Sequence, residues 1–199
     1  MMQQDILIIF YKNLVRGKVK TRLAATIGVD NAFDIYKAMV EEVHFLSQKI
    51  KIDRIIYYSD HITKDDIWNN EYKKELQRGA NLGEKMMNAF KDVFQMGYSK
   101  AVVIGTDCPS LTEDIINDAF NKLNNNDIVI GPAFDGGYYL LGMKILHTSL
   151  FQNIEWSTSQ VLEQTTAKMN SHNLSYSLLQ ELHDIDEEKD LVHFKVNKT

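Results

Sequence analysis

The sequence predicts an α/β fold, a mostly parallel β-sheet covered by helices on both faces with one antiparallel hairpin added. Three observations predict it. Short runs that are apolar throughout and rich in branched residues, Ile6-Leu7-Ile8-Ile9-Phe10 and Ala101-Val102-Val103-Ile104, read as strands buried on both faces of a parallel sheet. Between such runs lie segments whose apolar residues recur at helical spacing. Asp135-Gly136-Gly137 separates two apolar runs, which is the pattern of a turn joining antiparallel strands.

The elements follow in order. The opening strand, Ile6 to Phe10, runs into a polar, basic loop. After Gly28, the positions of Ala32, Phe33, Tyr36, Val40, Val43 and Leu46 mark an amphipathic helix ending near Lys51. Arg54 to Tyr58 is a second strand, and Ser59 to Asn70 reads as polar and irregular. Leu82, Met86, Ala89, Phe90 and Val93 outline a helix that ends around Gly97. The strand Ala101–Ile104 leads into Gly105-Thr106-Asp107-Cys108-Pro109-Ser110, where Pro109 keeps Cys108 out of the helical region. Ser110 and Glu113 have the spacing of a capping box for a helix whose inward face is Ile115, Ile116, Ala119 and Leu123. Asp127 to Ile130 and Tyr138 to Leu141 form the hairpin strands. A helix from about Ser159 to Met169, a short strand near Leu174 to Leu178 and a last helix from about Glu187 complete the reading.

Composition narrows the function classes. A chain of 199 residues that is 44% hydrophobic can bury one substantial core but is short for two, so residues 1–199 are read as one domain. The net charge of -5 offers no broad basic surface, and no nucleic-acid partner is expected. Cys108 is the only cysteine, which forbids an intramolecular disulfide and fits a reducing cytoplasm. The first apolar run is far below the ~18 residues of a membrane span and lacks the features of a secretory signal, so no membrane partner is expected. A homo-oligomer is left open.

Four polar segments could carry chemistry, and three of them fall at the carboxyl ends of strands, where sheets of this kind bind ligands. The first runs from Lys12 to Leu23 and places Lys12, Arg16, Lys18, Lys20 and Arg22 around Gly17, so that cations could surround a phosphate chain. A solvated basic loop would look the same. In the second, Asp107 follows a buried strand, where a carboxylate can coordinate Mg²⁺ or simply cap a turn. The third, Gly131 to Tyr139, offers Asp135 as a base and Gly136-Gly137 as a place where an acceptor could approach the backbone. A good hairpin turn explains part of it. The fourth is Asp184-Ile185-Asp186, whose acids share a side if the segment is extended, although Asp186 could also cap the last helix. Cys108 reads as a small buried residue rather than a nucleophile, and the histidines lack zinc-ligand spacing.

Taken together, Lys12, Gly17, Lys20-Thr21-Arg22-Leu23, Gln77-Arg78-Gly79, Leu82-Gly83-Glu84-Lys85-Met86, Gly105 to Leu111, Gly131-Pro132, Asp135 to Leu140, Trp156-Ser157-Thr158, Asp184-Ile185-Asp186 and Asp190-Leu191 resemble the bacterial DUF2064 proteins. These have the glycosyltransferase-A fold and are similar to phospholactate guanylyltransferases and molybdenum-cofactor guanylyltransferases. The resemblance implies a Rossmann-like three-layer α/β/α sandwich of the nucleotide-diphospho-sugar transferase type, a phosphate-binding first loop and a metal-binding aspartate after the central strand. It assigns Lys20 and Arg22 to the phosphates, Asp107 to the metal, and Gln77 and Gly79 to the nucleotide side. Leu14 stands where the family usually has proline, and Glu187-Glu188 replace its Thr-Pro.

The expected activity is transfer from a nucleotide or nucleotide sugar to a small-molecule acceptor with Mg²⁺ or Mn²⁺ as cofactor. Lys20, Arg22, Lys12, Arg16 and Gly17 would hold the donor, Asp107 with Asp184 or Asp186 the cation, and Asp135 with Gly136 and Gly137 the acceptor. Glycosyl and nucleotidyl transfer both remain open, as does a non-catalytic nucleotide-binding module. The scheme requires the cations after the opening strand to meet the aspartate after the central strand across one cleft.

Overall fold

A computed structural model describes residues 4–69 and 71–194. Seven strands form one sheet: β1 Asp5–Tyr11, β2 Asp53–Tyr58, β3 Lys73–Leu76, β4 Lys100–Ile104, β5 Ile128–Pro132, β6 Tyr138–Met143 and β7 Tyr176–Leu178. Their spatial order is β3-β2-β1-β4-β6-β5-β7. β6 is antiparallel to both its neighbours, β4 and β5, and every other pairing is parallel. Five α-helices cover the sheet: α1 Thr21–Ile27, α2 Val29–Lys49, α3 Leu82–Gln95, α4 Glu113–Lys122 and α5 Val161–Ser171.

Alternation along β1 divides the core in two. Leu7 and Ile9 face Tyr36, Met39, Val40 and Val43 of α2 and Ile115, Ile116 and Ala119 of α4. Ile6 and Ile8 face the other way, toward Met86, Ala89, Phe90 and Val93 of α3 and Met169 of α5. Successive strand residues must point to opposite faces, so an all-apolar run is what a central strand between two helical layers requires. Each such buried Leu or Ile contributes about 1.5–3 kcal/mol relative to exposure. No helix among the described residues is long and apolar enough to cross a membrane.

The structure differs from the sequence reading at five places. β3 has the sequence Lys-Lys-Glu-Leu, carries no hydrophobic pattern and is mostly exposed at the sheet edge, where charged side chains discourage further pairing. It follows the irregular segment, of which Asn70 lies outside the described residues. α1 lies inside what reads as a basic loop, anchored through the buried Leu23. The cap of α4 is Thr112, whose side chain accepts from Ile115 N, while Ser110 stays in the preceding turn. The last helix is a short 3₁₀ segment, Glu188–His193, capped by Glu187 and Asp190, so Asp186 is not its cap. The hairpin is present, but its loop spans five residues, closed by Ala133 N donating to Gly137 O at 3.1 Å.

Candidate active site

β1 lies beside β4, with β2 and β3 on its other side, so the order in which the chain lays down strands reverses between β1 and β4. Loops leaving these two strands diverge and open a crevice at their carboxyl ends. A buried hydroxyl pair ties the two ends together. Tyr36 Oη of α2 donates to Lys12 O at 3.0 Å, accepts from Lys12 N at 3.2 Å, and lies 2.9 Å from Thr106 Oγ1. Burial pushes the Tyr36 phenol well above its usual pKa, so it stays protonated and donates.

Lys20 is the centre of the crevice. It adopts the left-handed conformation at φ 46°, which aims it inward from the start of α1. Its side chain is only 7% exposed, and Nζ lies 3.3 Å from Asp107 Oδ2 and 3.7 Å from Asp186 Oδ1. Arg22 Nη1 donates to Asp186 Oδ2 at 2.9 Å while remaining 64% exposed, leaving the guanidinium open to solvent. Asp107 lies over Gly105, where an added Cβ would come within 2.7 Å of Asp107 Oδ1. Ile185 N donates to Asp107 O at 2.9 Å, and the buried Ile185 side chain pins the acidic segment beside the end of β4.

Asp184 sits deeper than Asp186. Burial raises its pKa well above the carboxylate range, and the charges of Asp107 and Asp135 push it in the same direction while Lys20 opposes them. Its Oδ1 is enclosed and has no hydrogen-bond partner. The adjacent Cys108 thiol is driven far above its ordinary pKa by burial and then by Asp184, which holds it protonated and unreactive.

Asp135 is exposed at the hairpin tip, where Oδ1 accepts from Gly137 N at 2.8 Å. Gly136 has φ 87°, and a Cβ there would strike the carbonyl of Ser159 at the approach to α5. A Cβ at Gly137 would lie 3.1 Å from Asp135 Oδ1. Turn geometry and packing therefore account for both glycines without a ligand.

The structure thus brings Lys20, Arg22, Asp107, Asp184 and Asp186 into one cluster, with Asp135 close enough for its charge to act on Asp184. Lys12 has an exposed side chain at the rim, and Gly17 makes the loop's turn at φ 79°. Arg16 is turned onto α2, paired with Asp30 and stacked over Phe33 at 4.6 Å. Gln77 and Gly79 stand beyond β2. Gln77 Nε2 donates to Tyr57 O at 2.9 Å, and Gly79, at φ 144°, packs against Glu84 at the start of α3. Sequence reasoning missed Tyr36 and Thr106. Tyr36 registers only as an apolar helical position, and its hydroxyl acquires meaning from Lys12 and Thr106, 24 and 70 residues away.

The donors Asp107, Asp184 and Asp186 are hard oxygen atoms, and the enclosed Asp184 Oδ1 lacks a partner. That chemistry suits a hard dication such as Mg²⁺ or Mn²⁺. Among the described residues, no three acidic, histidine or cysteine side chains form a ready cation cage. The Lys20 ammonium instead stands between Asp107 and Asp186.

Comparison with known proteins gives the family and the fold. A family model described as an uncharacterized protein conserved in bacteria, DUF2064, matches residues 43–158. The chain belongs to the DUF2064 family. The same DUF2064 chain is similar to a solved protein from Desulfovibrio desulfuricans G20, provisionally named a nucleotide-diphospho-sugar transferase. The two are 31% identical with a TM-score of 0.92, over 100% of this chain and 89% of the other. It is also 25% identical over 134 residues to a 2-phospho-L-lactate guanylyltransferase from Methanocaldococcus vulcanius. That match covers 64% of this chain and only 57% of the relative. A Mycobacterium tuberculosis H37Rv protein solved in complex with manganese shares the fold at 10% identity. The TM-score there is 0.58, over 99% of this chain and 100% of the other. This DUF2064 protein therefore has the α/β fold of the nucleotide-diphospho-sugar transferases, a mixed sheet of seven strands between helical layers.

Proposed function

We propose that this protein is a metal-dependent transferase that binds a nucleotide-activated substrate in the crevice between β1 and β4 and passes part of it to a small acceptor. One observation carries the reading: Lys20, from the loop after β1, is buried between Asp107 after β4 and Asp186 near the end of the described chain. A cation from one side of a topological switch point meets acids from the other, which is the arrangement a phosphate ester and its counter-ion require. The names of a guanylyltransferase relative and of a nucleotide-diphospho-sugar transferase relative support nucleotide use.

Lys20 and Arg22 bind the phosphates, Lys20 as a point charge and Arg22 through its paired donors, with Lys12 at the rim. Asp107, Asp184 and Asp186 would hold Mg²⁺ or Mn²⁺, which would neutralise phosphate charge. Asp135, whose Oδ1 is oriented by Gly137 N, accepts the proton of an acceptor hydroxyl. In glycosyl transfer the acceptor oxygen bonds to the sugar carbon, the carbon–oxygen bond to phosphate breaks, and a nucleoside diphosphate leaves with the electron pair. In nucleotidyl transfer the acceptor oxygen bonds to the α-phosphorus and pyrophosphate leaves. A cytoplasmic location accords with the buried, protonated Cys108.

Thermal shift with nucleotides and nucleotide sugars, each with and without Mg²⁺ or Mn²⁺, identifies the donor, because a ligand of the folded state alone raises apparent stability. Product analysis with labelled donor then separates nucleoside diphosphate from pyrophosphate. Nucleotide binding that ignores metal, with no product from any acceptor, would convert the reading to a non-catalytic binding module.

A further inference from the structure

Tyr36 stands on the buried face of α2 with Ala32 and Met39, where an apolar ring is all that packing against the sheet requires. A phenylalanine would fill that place, so the hydroxyl needs a reason of its own. Its oxygen is buried with every bonding position taken. It donates to Lys12 O at 3.0 Å and accepts from Lys12 N at 3.2 Å. Thr106 Oγ1, at 2.9 Å, is then the donor of the third bond, because the single phenol proton is already used. Lys12 is the first residue beyond β1, and Thr106 directly precedes Asp107. One atom of a helix therefore spans the two strand ends from which the cations and the acid of the crevice depart.

The start of the same loop is also fastened toward β2. Asn13 accepts from Asp60 N at 3.0 Å and donates to His61 O at 2.8 Å, and Leu14 N donates to Tyr11 Oη at 3.3 Å. Those bonds keep the loop folded without help from Tyr36, whose hydroxyl supplies the bridge toward β4. Burial, followed by the charge of Asp107, raises the phenol's pKa, so the carboxylate lies within electrostatic reach of the hydroxyl.

We propose that Tyr36 is a positioning residue of the transferase site: its hydroxyl sets the distance between the loop that carries Lys20 and the turn that carries Asp107, and so keeps ammonium and carboxylate in register for a phosphate chain and its metal. This rests on the transferase reading above and adds to it a residue that acts through Lys12 and Thr106.

Two measurements on the full chain test it, each with Tyr36→Phe, Thr106→Val and the control Tyr72→Phe. The control deletes another buried hydroxyl on the same face of the sheet, bonded to Ser47 near the far end of α2. The first measurement is limited acetylation by acetic anhydride, read by peptide mass spectrometry with the exposed Lys49 as reference. Lys20, 7% exposed, should be protected in the wild type and react at least about threefold faster in Tyr36→Phe and Thr106→Val, but not in Tyr72→Phe. The second is binding of Mn²⁺ with inorganic pyrophosphate, followed by the electron paramagnetic resonance of free Mn²⁺. Affinity should fall about tenfold in the same two variants, the size of one lost hydrogen bond to a charged group, and stay within about twofold in the control. The double variant should lose little more than either single one, because both remove the same bond. Lys20 protection that survives Tyr36→Phe and Thr106→Val, Mn²⁺–pyrophosphate binding that they leave as tight as in the wild type, or equal effects from Tyr72→Phe overturn the positioning role. If Lys20 is uncovered in those two variants alone while the wild type binds no Mn²⁺–pyrophosphate, Tyr36 still sets the spacing of Lys20 and Asp107, and the transferase reading falls.

Discussion

Replacing Lys20 by Met removes the ammonium that separates Asp107 from Asp186 and keeps most of the side chain's volume. In the native structure Nζ lies 3.3 Å from one carboxylate and 3.7 Å from the other, and the lysine is almost fully enclosed. Losing one partner of a fully buried pair costs about 3–5 kcal/mol. Here both carboxylates are nearly half exposed and water can take over much of the lost interaction, which reduces the expected cost to about 1–2 kcal/mol. For a chain of this size that corresponds to a fall in melting temperature of roughly 3–6 °C. Asp107 then faces Asp186 with Arg22 as the remaining cation of the cluster, so added Mg²⁺ should stabilise Lys20→Met more than the wild type. Nucleotide affinity should fall roughly 10- to 100-fold through loss of a charge-assisted contact. Thermal denaturation with and without Mg²⁺, followed by nucleotide titration, reads all three. A variant that melts with the wild type and gains nothing extra from Mg²⁺ refutes the claim that Lys20 holds the acids apart.

Asp107→Asn should abolish metal-dependent turnover, measured as product release from labelled donor, and should cost at least about 100-fold if the carboxylate binds the cation. Arg16→Ala should leave nucleotide affinity within about twofold, because Arg16 is engaged by Asp30 and Phe33 on the exposed face of α2 and such surface pairs contribute about 0–1 kcal/mol. Gly136→Ala combines a left-handed backbone at φ 87° with a collision against the Ser159 carbonyl. A loss of about 2–4 kcal/mol in urea denaturation is expected, with the hairpin tip displaced from α5. His44 is buried against Trp68 and Tyr72 with both ring nitrogens unpartnered, and burial, then Arg54, lower its pKa. The unfolded chain therefore binds the proton more readily. Its stabilising contribution is complete above the unfolded value near about 6.5 and is lost as pH falls below it, so His44→Phe should flatten the stability profile between about pH 7 and 5.

Much of the architecture was legible because it is written in local patterns. The runs at β1 and β4 must be central strands, since nothing polar interrupts them, and the periodic faces of α2 and α3 could only cover a sheet. Asp107, Asp184 and Asp186 stood out because acids next to buried segments are rare enough to need a reason. Other features have no local signature. β3 is charged and held by its pairing with β2, and α1 forms because Leu23 reaches the core. The cap of α4 shifts from Ser110 to Thr112 because Pro109 and the turn place Thr112 where Ile115 N points.

The sequence by itself determined the strands and helices that carry a side-chain period, β1, β2, β4, the hairpin strands and α2 to α5, because those follow from that period and from chain-local sterics; β3 and α1 carry none. Tertiary structure alone decided that Lys20 meets Asp107, 87 residues away, that Arg22 meets Asp186 across 164, and that Arg16 in the same loop turns to Asp30 instead. The physical reason is that these contacts depend on β1 pairing in parallel with β4 and on the packing of α1 against the last 3₁₀ segment, which are long-range choices that the local pattern does not encode.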